Sequence, residues 1–185
     1  YLAFFTLGQA ALNQSDFDAA LLFTQTAVNR LLEIESAAFD LKEFEAYFRL
    51  GWLYQLAAQP QLAKAIENYN KAIQLNPNFA DAYNNRATAY FAQGNFPEAI
   101  VDYNKAIQLD HNFVEAYNNR SGAYYEQGDL PRSIADINKA IQLNPNFALA
   151  YYNRGNIYYD QGNLVQALGD LNKAIQSVKN AIINN

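Results

Sequence analysis

Cysteine and methionine are both absent from this chain of 185 residues. Without cysteine there is no disulfide framework and no thiolate metal site, and the redox compartment stays open on that count. Histidine occurs once, as His111, and a single imidazole does not make a metal site. Glycine is sparse and never clustered into a phosphate-cradling loop, and no nucleophile–base pair or metal-ligand cluster stands out. No apolar run approaches the roughly 18 residues of a membrane span. The segment Tyr1-Leu2-Ala3-Phe4-Phe5 is apolar but lacks the charged flank and cleavage pattern of a signal peptide. Positive charge is in deficit: 13 Lys and Arg stand against 18 Asp and Glu, a formal net charge of −5, which argues against a nucleic-acid binder. A chain that begins at Tyr1 and contains no Met reads as a piece of a longer protein, whose targeting signal or catalytic domain would then lie elsewhere.

What is present is repetition. Residues 84–113, NNRATAYFAQGNFPEAIVDYNKAIQLDHNF, return as NNRSGAYYEQGDLPRSIADINKAIQLNPNF at 118–147. Between 80–113 and 114–147, 20 of 34 positions are identical without a gap, and 148–181 keeps the same frame. A fixed period of this length marks an array whose units bury their core by stacking on neighbours. The array is therefore expected to form one elongated domain. Half of the residues are hydrophobic, and 14 Tyr and 12 Phe supply large buried areas.

Each unit carries two helical patterns. In 80–113 the first places Tyr83, Ala87 and Tyr90 on one face and ends at Gly94, where a left-handed turn can close a helix. The second places Phe96, Ala99, Ile100, Tyr103, Ala106 and Ile107 on one face, with Pro97 in its first turn. Pro131 fills the matching place in the next unit. Asn76-Pro77-Asn78 and Asn144-Pro145-Asn146 punctuate the units, and Asp110-His111-Asn112 replaces that triplet once.

The series Tyr83, Ala87, Tyr90, Gly94, Ala99, Tyr103 and Ala106, with Pro77 just before it, resembles the tetratricopeptide repeat (TPR). Tyr117, Ser121, Tyr124, Gly128, Ile137, Ala140 and Pro145 repeat the series, as do Tyr151, Gly155, Tyr158, Gly162, Ala167, Leu171 and Ala174. The first 79 residues diverge but keep the spacing. Tyr47, Leu50, Gly51, Tyr54, Ala65, Tyr69 and Ala72 match with a two-residue insertion near Ala58-Gln59-Pro60, and Leu7, Gly8, Phe17, Ala20 and Ala27 match more loosely. The expected organisation is a divergent unit with linker at 1–43, with Ser15 or Asp16 capping its second helix. Units follow at 44–79, 80–113, 114–147 and 148–181, then a tail at 182–185. Ser177–Asn185 either lengthens the last helix or begins another. The resemblance implies an all-α, right-handed α-α superhelix of about five helix-turn-helix repeats.

It also implies that first helices line a concave groove, with the residues beside each core Tyr pointing into it. The candidates are Arg49 and Trp52; Asn84, Asn85 and Phe91; Asn118, Asn119 and Tyr125; and Asn153, Asn156 and Tyr159. Phe48, Gln55, Thr88, Gly122 and Tyr152 stand with them, as do Phe5, Thr6, Gln9 and Leu12 of the first unit. Asn85, Asn119 and Asn153 recur one unit apart. A carboxamide both donates and accepts, so such a ladder can hold an extended backbone without demanding a side-chain sequence. The alternative is that duplicated units carry solvated Asn. Phe91, Tyr125 and Tyr159 form an aromatic row, and Glu45, Asp81, Glu115, Glu126 and Asp160 add acid to the rim.

Arg86, Arg120 and Arg154 form a further row, each followed sixteen residues on by Asp102, Asp136 and Asp170. In the Leu50 unit the acid gives way to Asn68. Acid and base that come and go together point to an intra-unit bridge, and an anion-binding Arg row is the alternative. Groove positions offer only Arg49 as a base, which disfavours a clamp for a terminal carboxylate.

These readings lead to a non-enzymatic scaffold that binds a protein or peptide partner, without cofactor, metal, nucleic acid or membrane insertion, and with a cytoplasmic placement. Two alternatives stand beside it. One is a self-assembly module pairing through terminal helices or Phe4, Phe5, Leu22 and Phe23. The other is the recruiting arm of a larger enzyme.

Overall fold

The computed structural model describes residues 43–57 and 60–183, and in the N-terminal region positions 19, 21, 22, 24–26 and 29, all of them helical. The expectations placed on Phe4, Phe5, Thr6, Gln9, Leu12, Ser15, Asp16 and Phe23 lie outside the described residues, as does most of the 1–43 unit and linker. Among the described residues the regular structure is helical throughout. The helices are α1 (Glu43–Leu56), α2 (Leu62–Leu75), α3 (Ala80–Ala92), α4 (Phe96–Leu109), α5 (Val114–Glu126), α6 (Leu130–Leu143), α7 (Ala148–Asp160) and α8 (Leu164–Ile183). Residues 57–61 lie between α1 and α2, where 127–129 lie between α5 and α6. None of these helices is long and apolar enough to cross a membrane.

The turns follow from local chemistry. Gly94, Gly128 and Gly162 have φ of 78°, 77° and 75°, a left-handed conformation that costs glycine little. At the first of them Asn95 N donates to Tyr90 O at 2.9 Å and Gly94 N to Phe91 O at 2.9 Å, a Schellman close. At the other punctuation mark a side chain caps the turn: Asn78 N donates to Asn76 Oδ1, Asn112 N to Asp110 Oδ1 and Asn146 N to Asn144 Oδ1. This explains why Asp-His-Asn substitutes for Asn-Pro-Asn. The acceptor survives, and His111 Nδ1 lies 2.7 Å from Ile107 O. Asp129 caps α6 by accepting from Arg132 N at 3.0 Å, with Pro131 in the first turn.

The chain divides into two compact units, Tyr1–Asn95 and Phe96–Asn185, where the repeat pattern alone suggested one domain. The division falls at the turn inside the 80–113 repeat. In an array each element touches mainly its neighbours, so a cut at any turn severs few contacts. In the N-terminal unit, α1 packs on α2 and α2 on α3. Leu50, Leu53, Ala65, Tyr69 and Ala72 are fully or almost fully buried there. Phe79 closes the cluster from the turn, with its ring 5.0 Å from Phe44 and 4.7 Å from Phe48. In the C-terminal unit, α4 to α8 pack in succession around Tyr103, Ala106, Ala123, Ile137, Ala140, Ala150 and Ile157. The buried positions recur at three and four residues, the helical spacing read from the sequence.

Candidate functional site

The charge row of the C-terminal unit has definite geometry. Arg120 Nε and Nη2 donate to Asp136 Oδ2 and Oδ1, both at 2.7 Å, in a two-pronged bridge between α5 and α6. Arg154 does the same to Asp170, at 2.7 and 2.8 Å, between α7 and α8. Arg120 stands over the rings of Tyr117 and Tyr124 at 5.6 and 5.7 Å. Asp136 and Asp170 are buried, at 7% and 8% exposure. Burial works against the Arg120 charge, but hydrogen bonds and attraction from Asp136 outweigh it and hold the guanidinium above its ordinary pKa. The Asp170 hydrogen bond does the same for Arg154. Both bridges were expected from the spacing. Arg86 and Asp102 belong to different compact units.

Sequence reasoning missed the third limb of each Arg. Nη1 of Arg120 donates to Asn104 Oδ1 at 2.6 Å, that of Arg154 to Asn138, and that of Arg86 to Asn70 at 2.6 Å. Arg120 and Arg154 thus tie their own second helix and, through the Asn, the second helix of the preceding repeat. The signal was present: Asn70, Asn104 and Asn138 open the recurring Asn-Lys-Ala-Ile string. In the Leu50 repeat, where the Arg is missing, Asn68 donates to Lys64 O of its own helix at 2.8 Å. There a cavity of about 260 Å³ opens, with Tyr47, Leu50, Tyr54 and Asn68 in its wall.

The carboxamides form linked groups. In the C-terminal unit Asn153 Nδ2 donates to Asn118 Oδ1 at 3.0 Å, joining α7 to α5, and Asn118 Nδ2 donates to Asn119 Oδ1 at 3.4 Å. Asn118 is only 3% exposed, while Asn119, Asn153 and Asn156 are half-buried. Tyr125 is half-buried beside them, and its hydroxyl donates to Asp160 at 2.5 Å, which pushes its pKa up. Tyr159 is exposed.

In the N-terminal unit Asn84 is buried and donates to Asn85 Oδ1 at 3.1 Å. Asn85 also hydrogen-bonds Tyr69, whose hydroxyl donates to Gln55 Oε1 at 2.8 Å. Burial pushes the Tyr69 pKa up against the pull of Asn85. Trp52 is half-buried against Ala65, Tyr69 and Ala89, Phe91 is half-buried, and Arg49 is exposed. Asn85 and Asn153 therefore differ in their partners. Ile137 stands where the earlier repeats have Tyr69 and Tyr103, so Asn153 meets no tyrosine hydroxyl from that position and turns to Asn118.

Comparisons with known proteins agree with this architecture. A family model described as tetratricopeptide repeat matches residues 80–113 and 148–177, and a second, described as TPR repeat, matches 54–94 and 122–162. No curated protein sequence matches the chain. Among solved structures, MamA is 24% identical with a TM-score of 0.73, covering 95% of this chain and 96% of its own. TTC0263, a thermophilic TPR protein in Thermus thermophilus, is 19% identical with a TM-score of 0.76, covering 95% and 90%. YrrB, described as a TPR protein with an unusual peptide-binding site, is 22% identical with a TM-score of 0.65, covering 94% and 84%. At these identities the likeness is one of fold.

Proposed function

The chain belongs to the tetratricopeptide-repeat family, and from that premise we propose that it is a protein-interaction scaffold holding an extended peptide against the face shared by α5 and α7. The observation that carries the reading is the Asn153–Asn118 bond, which brings carboxamides of successive first helices together on one face. A carboxamide has two donor hydrogens and an acceptor oxygen, and Asn153 uses one hydrogen on Asn118. Its remaining capacity suits a peptide N–H or C=O in either chain direction. Asn119 and Asn156 extend the polar strip, Tyr125 and Tyr159 supply apolar contact, and the deeply buried Asn118 positions Asn153. Glu115 and Glu126 are exposed on α5 and bias the face toward neutral or basic segments. Arg49, Trp52, Asn84, Asn85 and Phe91 offer the N-terminal unit's version of this strip, with Asn85 engaged by Tyr69.

The test begins with extended peptides selected from a random display library on the full chain. Their affinities are then compared by calorimetry with the Asn119→Ala/Asn153→Ala variant. Loss of one neutral hydrogen bond from each Asn, at about 0.5–1.5 kcal/mol apiece, lowers affinity roughly five- to 150-fold. Unchanged affinity with an unchanged circular dichroism spectrum assigns the peptide to another surface. No catalytic step is part of this reading.

A further inference from the structure

The cavity of about 260 Å³ in the Leu50 repeat lies where the later repeats hold a guanidinium. Arg86, Arg120 and Arg154 stand third after Tyr83, Tyr117 and Tyr151, and Leu50 stands third after Tyr47. Each Arg lies over the ring of that first tyrosine, at 5.5, 5.6 and 5.7 Å. Arg120 and Arg154 also lie over the second, Tyr124 and Tyr158, at 5.7 and 6.0 Å. The shorter Leu50 leaves that space open. Its volume falls below the roughly 300–1,000 Å³ of a drug-sized pocket and suits a single side chain.

The groups that meet a guanidinium elsewhere are still in the wall. Tyr47 and Tyr54 supply both rings. Gln25 stands eight residues after Phe17 as Asn104 stands eight after Phe96, so it replaces the carboxamide that accepts from Nη1 of Arg120. The Tyr54 hydroxyl donates to Gln25 Oε1 at 2.8 Å and holds that carboxamide at the cavity. Asn68 stands where Asp102, Asp136 and Asp170 do. It is 6% exposed, its Nδ2 is turned to Lys64 O, and its Oδ1 accepts no hydrogen bond among the described residues. A buried acceptor without a donor is costly, and a bound N–H removes that cost. The negative charge that Asn68 lacks reappears one residue earlier, where Glu67 lines the cavity in the place of Val101, Ala135 and Gly169.

Lys64 and Lys71 also line the cavity, over the Tyr54 and Tyr47 rings at 5.3 and 5.5 Å. They do not bar a further cation. Glu67 pairs with Lys71 at 2.9 Å, and a single ring, Tyr124, carries both Arg120 and Arg132, at 5.7 and 4.4 Å. We propose that this cavity is a guanidinium-binding site, which takes from a ligand the arginine side chain that the later repeats supply from their own chain. It does not depend on the strip of α5 and α7.

The test uses the full chain and Nα-acetyl-arginine methylamide, with the lysine and glutamate counterparts beside it. Nuclear magnetic resonance follows the Asn68 side-chain amide and the Tyr47 and Tyr54 ring signals. The arginine probe is expected to shift them saturably and to bind roughly tenfold or more tightly than the other two, because only a planar fork both stacks and bonds there. Free arginine in the same titration separates the two sources of the group. Tighter binding of the free amino acid assigns the site to a small molecule, and tighter binding of the blocked form assigns it to a peptide residue. Leu50→Arg/Asn68→Asp puts the chain's own bridge into the slot and is expected to abolish binding with an unchanged circular dichroism spectrum. Gln25→Ala removes one acceptor and is expected to weaken binding roughly two- to tenfold. No saturable shift with the arginine probe, equal or tighter binding of the glutamate probe, or undiminished binding to either folded variant would each overturn the proposal.

Discussion

At the residue scale, the Arg–Asp bridges are the most consequential interactions. Arg120 and Asp136 are largely withdrawn from water, with side-chain exposures of 16% and 10%. Removing one partner of such a pair strands a charge and costs about 3–5 kcal/mol, whereas apolar replacement of both can be near neutral. Urea unfolding should therefore show Asp136→Leu far less stable than Arg120→Met/Asp136→Leu. Tyr69 gives a pH prediction. Its folded pKa is raised by burial, so the stability held by the neutral hydroxyl is complete below the unfolded value near pH 10. It is lost as pH rises toward the folded value. Tyr69→Phe should lose about 0.5–1.5 kcal/mol at neutral pH, from the bond to Gln55. It should also decline less steeply than wild type above about pH 10 in thermal melts. The bridges were legible in the sequence because acid and base appear and vanish together. The different engagements of Asn85 and Asn153 were not, because identical residues diverge only through the side chain sixteen positions back, Tyr69 in one case and Ile137 in the other.

At the element scale, glycine plays two opposite parts. Gly128 closes α5 at φ 77° with open space where a Cβ would stand, so Gly128→Ala costs only the strain of a left-handed alanine, about 1–2 kcal/mol. Gly51 lies within α1, where Ala ordinarily gains up to about 1 kcal/mol in helix propensity. A Cβ there would approach the Tyr69 ring to 2.8 Å. Gly51→Ala should therefore destabilise the chain, by about 1–3 kcal/mol of overpacking, and a thermal melt of each variant checks both signs. The turn glycines were readable as punctuation, as were the core faces of α3 to α7. The course of the tail was not. Its sequence allowed either a longer helix or a new one, and the absence of an Asn-Pro-Asn break after Ser177 lets α8 run on. The close approach at Gly51 was also hidden, since it depends on a ring from the neighbouring helix.

At the scale of the whole molecule, repetition made the all-α repeat architecture readable, because each 34-residue unit repeats one helix-turn-helix solution. The partner was not readable in the same way. The proposed polar strip consists of half-buried and buried side chains, and several of its Asn also bond one another. The acidic balance of the chain, at −5, bears on binding as well. Affinity for a basic peptide should fall as salt is raised from about 0.05 to 0.5 M, as the screening length shortens. The face shared by α5 and α7 is tested most directly by nuclear magnetic resonance of the full chain titrated with a selected peptide. The account predicts saturable shifts of the Asn119 and Asn153 side-chain amides and of the Tyr125 and Tyr159 ring signals. Saturable shifts confined to second-helix residues, with those four side chains unmoved, would contradict it.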